Sequence, residues 1–319
     1  MLGKLVTLFG ITLASCLTAN ADEQYPSRTI TIVVPQQAGG GSDSVARILA
    51  ARMTTISGKS VIIDNRPGAG GNIGTAFVAR AKPDGYTLMI NGNAQIINPS
   101  LYPKAGYAVN DFTPIATIAK SAMVVVANPA FPANNINDLI ALAKKTPGGI
   151  FYATPGNGTG NHLAAVLFEQ AAKVKFTPVH YKGAPAALND VVAGQVPFTF
   201  ATMASAQVFL AKDQLKVLAI ATPERLAALP DARTLSESVP GYDFSAWNAL
   251  FAPDGIPPKT LEVINRMVRQ ALKDPELIEA FRRQSQVPGT DTPEEFNTYV
   301  KGQTPRWEKV IQQANLRME

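Results

Sequence analysis

The sequence predicts an α/β protein made of two similar units, and three observations carry that reading. Short β-branched runs alternate with helical periodicity through about the first hundred residues; the same strand, glycine loop and helix pattern restarts near residue 150; and a helical tail follows Trp247.

Taken in order, Thr29 to Val34 reads as a buried strand ended by Pro35. Gln36-Gln37-Ala38-Gly39-Gly40-Gly41-Ser42-Asp43 then opens a helix that places Val45, Ile48, Leu49, Met53 and Ile56 on one face. A second strand, Ser60 to Asp64, leads through Asn65-Arg66-Pro67-Gly68-Ala69-Gly70-Gly71 into a helix reaching about Ala81. Pro83-Asp84-Gly85 turns the chain into a third strand, Tyr86 to Ile90. The second unit opens with a strand, Ile150 to Ala153, and the loop Thr154-Pro155-Gly156-Asn157-Gly158-Thr159-Gly160-Asn161-His162, followed by a helix through Leu163, Val166 and Leu167. Strands are expected at Val179 to Tyr181, Val196 to Ala201 and Val217 to Ala221, with a helix from Ala186 to Ala193. The tail reads as four helices: Pro257 to Leu272, Pro275 to Gln284, Pro293 to Val300, and Arg306 to Leu316. Such a tail is expected to dock on the first unit, so that residues 22–122 plus 248–319 form domain 1 and residues 123–247 form domain 2.

The N-terminus reads as a secretion signal over residues 1–21. Lys4 precedes an apolar stretch from Leu5 to Leu17, and Ala19-Asn20-Ala21 supplies the small residues that a signal peptidase needs. The stretch is shorter than the roughly 20 residues of a transmembrane helix. Leu13-Ala14-Ser15-Cys16 also resembles a lipoprotein cleavage site, so anchoring through Cys16 is the alternative processing. Because Cys16 is the only cysteine, either cut leaves no disulfide, and stability must come from a packed core, for which 46% apolar residues suffice. The net charge of +5 is scattered without a basic run, which excludes nucleic acid as the expected partner.

The glycine loops carry the chemistry. A helix N-terminus leaves backbone amides unpaired and partially positive, and anions bind there. Ser42, Thr154, Asn157, Thr159 and Asn161 add neutral hydrogen-bonding groups. The plain alternative is a tight turn with a helix cap, Ser42 or Asp43 being ordinary N-caps. Neither Gly-x-x-x-x-Gly-Lys-Ser/Thr nor Gly-x-Gly-x-x-Gly occurs, which argues against nucleotide enzymes. His162 and His180 are the only histidines and have no carboxylate cluster beside them, so no metal site is expected; His162 stands equally for local packing or ligand contact. No Gly-x-Ser-x-Gly elbow marks a hydrolase. Asp190, Trp247 and Trp307 read as structural.

These motifs, taken together, resemble the solute receptors of tripartite tricarboxylate transporters, the Bug receptors. The likeness runs through Tyr25-Pro26, Gly40-Gly41-Ser42-Asp43, Asn65-Arg66-Pro67-Gly68-Ala69-Gly70-Gly71 and Pro83-Asp84-Gly85-Tyr86-Thr87-Leu88. It continues through Thr154-Pro155-Gly156-Asn157-Gly158-Thr159 with His162-Leu163, Tyr181-Lys182-Gly183, Gly194-Gln195-Val196 and Trp247-Asn248. The resemblance implies a type II periplasmic binding protein, two Rossmann-like domains with a ligand cleft between them and no cofactor. It implies that the loops Gln37 to Ser42 and Thr154 to Asn161 hold a carboxylate, with Gln37, Gly40, Gly41, Ser42, Thr154, Gly156, Asn157, Gly158, Thr159 and Asn161 as contacts. Gln36-Gln37 departs from the family, where an aromatic and small residues are more usual. Asn91, Asn93 and Thr202 are added at the carboxyl ends of strands, where α/β proteins seat ligands. The expected function is an exported, monomeric, non-enzymatic receptor for a small organic carboxylate, a dicarboxylate or an aromatic acid, that delivers it to a membrane permease. The alternative is a periplasmic sensor for two-component signalling. A bulky residue at Gly158 is expected to abolish binding and spare the fold.

Overall fold

The central β-branched runs become strands buried along most of their length, as a sheet covered on both faces requires, whereas the run from Val61 to Asn65 forms an edge strand that buries only Val61. The computed structural model describes residues 25–223, 225–242 and 244–318; the expected signal over residues 1–21, with Cys16, lies outside them. The chain opens with β1 (Ile30–Val34), α1 (Gly41–Ser57), β2 (Val61–Asn65), α2 (Asn72–Ala79), β3 (Thr87–Gly92), α3 (Ala94–Leu101) and β4 (Phe112–Ser121). It continues with β5 (Met123–Ala127), α4 (Ile136–Lys144), β6 (Ile150–Thr154), α5 (Gly160–Ala172), β7 (Phe176–His180), α6 (Ala184–Val192), β8 (Phe198–Thr202), α7 (Met203–Leu210), β9 (Lys216–Ile220) and α8 (Leu235–Ser238). It ends with β10 (Ala246–Pro253), α9 (Pro258–Ala271), α10 (Pro275–Arg283), β11 (Gln286–Pro288) and α11 (Pro293–Gln313).

Two sheets result. The six-stranded sheet has the order β11-β4-β10-β3-β1-β2 and the five-stranded sheet the order β7-β6-β8-β5-β9. β1 lies parallel to β2 and β3, and β6 parallel to β7 and β8, whereas β10 inserts antiparallel between β3 and β4 and β5 lies antiparallel to β8 and β9. Only Ala122 separates β4 from β5, so the chain crosses once there and returns into the first sheet at β10.

Helical periodicity sets the packing. Val45, Leu49 and Met53 of α1 are fully buried, and Gly58 ends the helix in the left-handed conformation at φ 66°. In the tail, α9 and α10 pack on α1, and α11 packs on α3 and β4. α11 corrects the sequence reading, which split it into two helices. It is one helix of 21 residues with Pro305 inside. Proline removes one amide bond and normally breaks a helix, but Phe296, Val300, Trp307, Val310 and Ile311 form one buried stripe across it, and that packing outweighs the lost bond. An aromatic seam ties the sheets together: Phe244 meets Trp307 edge-on at 6.1 Å, and Gln170 donates to the Val310 carbonyl at 3.1 Å.

α5 places two perturbed groups near that seam. His162 is buried, accepts a hydrogen bond from the Gly158 amide at Nδ1, and faces the edge of His180 at 5.1 Å. Burial, with His180 adding to it, pushes His162 down from 6.5 to about 4. Burial pushes Glu169 up from 4.5 to about 7, against the opposing Phe176 amide and Lys175.

Two outcomes are expected. Phe281 is fully buried and Phe151 is 56% exposed, so Phe281→Ala should cost about 3–5 kcal/mol in urea unfolding and Phe151→Ala within about 0.5 kcal/mol. Between pH 4.5 and 6.5 the perturbed pair acts in opposition. The unfolded chain takes up a proton at His162 that the folded chain refuses, so stability falls as pH drops. The folded chain holds a proton at Glu169 that the unfolded chain releases, so stability falls as pH rises. Glu169→Gln leaves His162 unopposed, and its stability should rise with pH across that window more steeply than wild type, by less than about 1.4 kcal/mol per pH unit. A parallel or shallower profile contradicts the pairing.

Candidate functional site

A cavity of about 500 Å³ opens between the two sheets, floored by Ser121 and Ala122 at the crossing and by Ala246, Trp247 and Asn248 of β10. Two larger grooves, of about 860 and 880 Å³, lie beside α9 and along α11. Both are built from the first sheet and its helices alone, so neither is lined by residues of the second sheet or its helices.

Four helices begin at the cavity wall. Gly41 starts α1, Asn93 and Ala94 start α3, Gly160 starts α5, and Thr202 with Ala204 starts α7. Each follows a strand of a parallel pair, so the cavity sits at the carboxyl edges of β1, β3, β6 and β8. The four N-terminal ends bring partial positive charge to one space without a charged side chain. α1 and α3 carry no side-chain cap, whereas Thr159 caps α5 and Thr202 caps α7.

The first glycine loop is shaped from beneath. Neither Ser42 nor Asp43 caps α1, because the cap position is Gly40. Asp43 is instead buried and accepts hydrogen bonds from the Gly39 amide at 2.8 Å, Arg47 at 2.9 Å and Asn65 at 2.9 Å. Burial opposes its ionisation, but the bonds from Arg47, Gly39 and Asn65 prevail and hold the carboxyl below its ordinary range. Ser42 Oγ donates to Asn248 Oδ1 at 2.6 Å, fixing the start of α1 over β10. Gln37 is exposed, and its carbonyl accepts from the Gly40 amide. Its neighbour Gln36 faces the cavity, with Nε2 on Asn91 Oδ1 at 3.0 Å and Oε1 without a partner among the described residues. Asn91 also bonds Thr75 at the cavity floor. Asn93 spans to the returning chain, donating to the Ser245 carbonyl at 2.9 Å and accepting from the Trp247 amide at 3.3 Å.

The second glycine loop mainly bonds to itself, and Gly160 is its member in the cavity wall. Thr154 is buried and donates to the Gly156 carbonyl, which Thr159 Oγ1 also reaches at 2.8 Å. Asn161 donates to the Phe200 carbonyl at 2.8 Å, and Asn157 is exposed. Gly158 has φ 70°, and a Cβ there would lie 2.8 Å from Leu101 Cδ2. A bulky substitution would therefore strain the backbone and the packing, so Gly158 is a poor probe of binding alone. Asp190 accepts from the Tyr181 hydroxyl at 2.7 Å, and Trp247 and Trp307 are buried in aromatic contacts.

The corner between α10 and β11 went unread in the sequence. It brings Arg283, Gln284, Ser285 and Gln286 to the cavity, and Ser285 Oγ donates to Gln207 of α7 at 2.9 Å across the mouth. The polar run after α10 was the available signal, but nothing local said where it would pack. Among the described residues no group of three or more His, Cys, Asp or Glu is placed to hold a metal, and no helix is long and apolar enough to cross a membrane.

Comparison with known proteins agrees with this geometry. Residues 45–316 match the family model described as the tripartite tricarboxylate transporter family receptor, TctC. Protein BugT of Bordetella pertussis is 30% identical over 99% of this chain and 99% of its own. The R. palustris protein Rpa4515, solved with adipate, is 32% identical with a TM-score of 0.78, covering 92% of this chain and 99% of that one. MatC from Rhodopseudomonas palustris, solved with bound malate, is 30% identical with a TM-score of 0.76, covering 90% and 100%. With a family model spanning most of its length and a two-domain periplasmic-binding-protein fold to match, the chain belongs to the tripartite tricarboxylate transporter receptor family.

Proposed function

We propose that the protein works outside the cytoplasm as a monomeric receptor that closes on a small organic carboxylate and hands it to the membrane permease of a tripartite tricarboxylate transporter. The observation that carries this reading is the meeting of four helix N-termini at one polar cavity. Two similar chains were solved with adipate and malate, both carboxylates.

In this reading the ligand carboxylate takes the uncapped start of α1, at Gly41 and Ser42, with Asn93 and Thr202 completing the contact from the facing walls. Gln37, Gly40, Thr154, Gly156, Asn157, Gly158, Thr159 and Asn161 form the two loops, giving them their shape or reaching the ligand as they close. A ligand without an anionic group would leave those amides desolvated and unpaired, a cost of about 1–3 kcal/mol per group. Domain 1 comprises residues 22–122 plus 248–319 and domain 2 residues 123–247, and they move about the crossings at Ala122 and the start of β10. Residues 1–21 direct export to the periplasm, and cleavage before Cys16 would add a lipid anchor.

A thermal-shift screen of the mature chain tests the reading. Carboxylates should raise the unfolding midpoint where their neutral amides do not, with about 2.7 kcal/mol gained at a hundredfold excess over Kd. No shift with any acid would sink it. Gly41 has open space where a Cβ would stand, so Gly41→Leu should keep the wild-type midpoint without ligand and weaken carboxylate binding by about tenfold or more. Unchanged binding would move the site away from α1.

A further inference from the structure

Among the described residues that line the cavity, Arg283 alone carries a formal charge. The rest of the lining is amides, hydroxyls, glycine, alanine and the edge of Trp247. Arg283 is in the last turn of α10. Its neighbour Arg282 is held by Glu279 through two bonds of 2.7 and 2.9 Å. Among the described residues, Arg283 makes no hydrogen bond or ion pair with a carboxylate. Glu279, whose carboxylate is held by Arg282, also acts on Arg283 through space one turn along α10, but among the described residues no hydrogen bond ties up the Arg283 guanidinium, which is a fork suited to an incoming carboxylate.

Its position relative to α1 defines what it can read. Ser42 is tied to Asn248 of β10, and Gln286 pairs with Ser121 of β4, which is β10's neighbour. The start of α1 and the α10–β11 corner are thus about two strand spacings apart, roughly 10 Å, before the arginine side chain reaches back. A single carboxylate seated at α1 leaves Arg283 unanswered. An aromatic tail finds little to pack on, because Trp247 is the one aromatic lining residue, is 4% exposed, and is engaged by Phe296 and Tyr299.

We infer that Arg283 is a specificity-determining residue for a second anionic group, so that the ligand is a short-chain dicarboxylate bound between α1 and the α10–β11 corner. This rests on the carboxylate reading above. The first carboxylate is read by backbone amides and the second by a guanidinium, and the connecting chain selects for length.

Isothermal titration calorimetry on the mature chain tests it with matched probes: succinate against butanoate, and adipate against hexanoate. Wild type should bind the better dicarboxylate at least about tenfold more tightly than its monoacid. Arg283→Gln should weaken that dicarboxylate by about 10- to 100-fold, the worth of a charged hydrogen bond, and the monoacid by less than about threefold. Arg282→Gln controls for surface charge and should change neither by more than about threefold. Equal effects of Arg283→Gln on both acids, no effect on either, or a wild type that does not prefer the dicarboxylate would overturn the assignment while leaving carboxylate capture intact. A wild type that binds none of the four acids would overturn both.

Discussion

A single residue, Ala122, lies between the end of β4 in one sheet and the start of β5 in the other, so one nearly continuous extended segment serves both sheets. The strands on either side must therefore present their edges to a shared gap. Because each parallel strand is followed by a helix, the edges bordering that gap carry helix starts. β10 then re-enters antiparallel between β3 and β4, closing the floor and leaving Asn248 within reach of Ser42. The site follows from chain direction, and the side chains refine what direction has already placed.

Electrostatically, the wall is positive without being ionic over most of its surface. Backbone dipoles do not titrate, and they cost less to desolvate than buried lysines or arginines would. Asp43 at first looks opposed to this scheme, being a carboxylate in the first turn of the helix that faces the cavity. Its lone pairs are spent on Gly39, Asn65 and Arg47, and the Arg47 charge offsets its own. The acid thus acts as a scaffold under the loop and leaves the outward amides of Gly41 and Ser42 to the cavity.

What could be read in the sequence was whatever local periodicity and glycine placement dictate. β1, α1, β6 and α5 emerge from apolar runs and loops, and so do the two segments from which Gly41 and Gly160 reach the wall. Between Asn91 and Gly149 the signals fail: α3 contains Pro99, β4 contains Pro114, and β4 and β5 are nearly fused, so neither helix nor strand has clean ends. Pro305 misled for the opposite reason, since its breaking tendency is local and the packing that defeats it is not. Composition alone does not separate the adjacent pair Gln36-Gln37, and only the twist of the chain leaving β1 puts Gln36 in the cavity wall and leaves Gln37 exposed. Arg283 was unreadable because its role depends on β11 pairing with β4, more than 160 residues away in sequence.

The hydrogen bond from Ser285 to Gln207 links the α10–β11 corner to α7 across the mouth of the cavity. Both partners are neutral and both can bond water when apart, so the clasp contributes only about 0.5–1.5 kcal/mol. A bond of that strength by itself shifts an equilibrium by a factor of about 2 to 13. Parting the walls at this corner would cost little beyond that bond, so a ligand that bridged them would tighten the corner with nearly its whole differential affinity for the bridged arrangement. A partner that recognised the bridged outline would read occupancy through shape, with no need to touch the cargo.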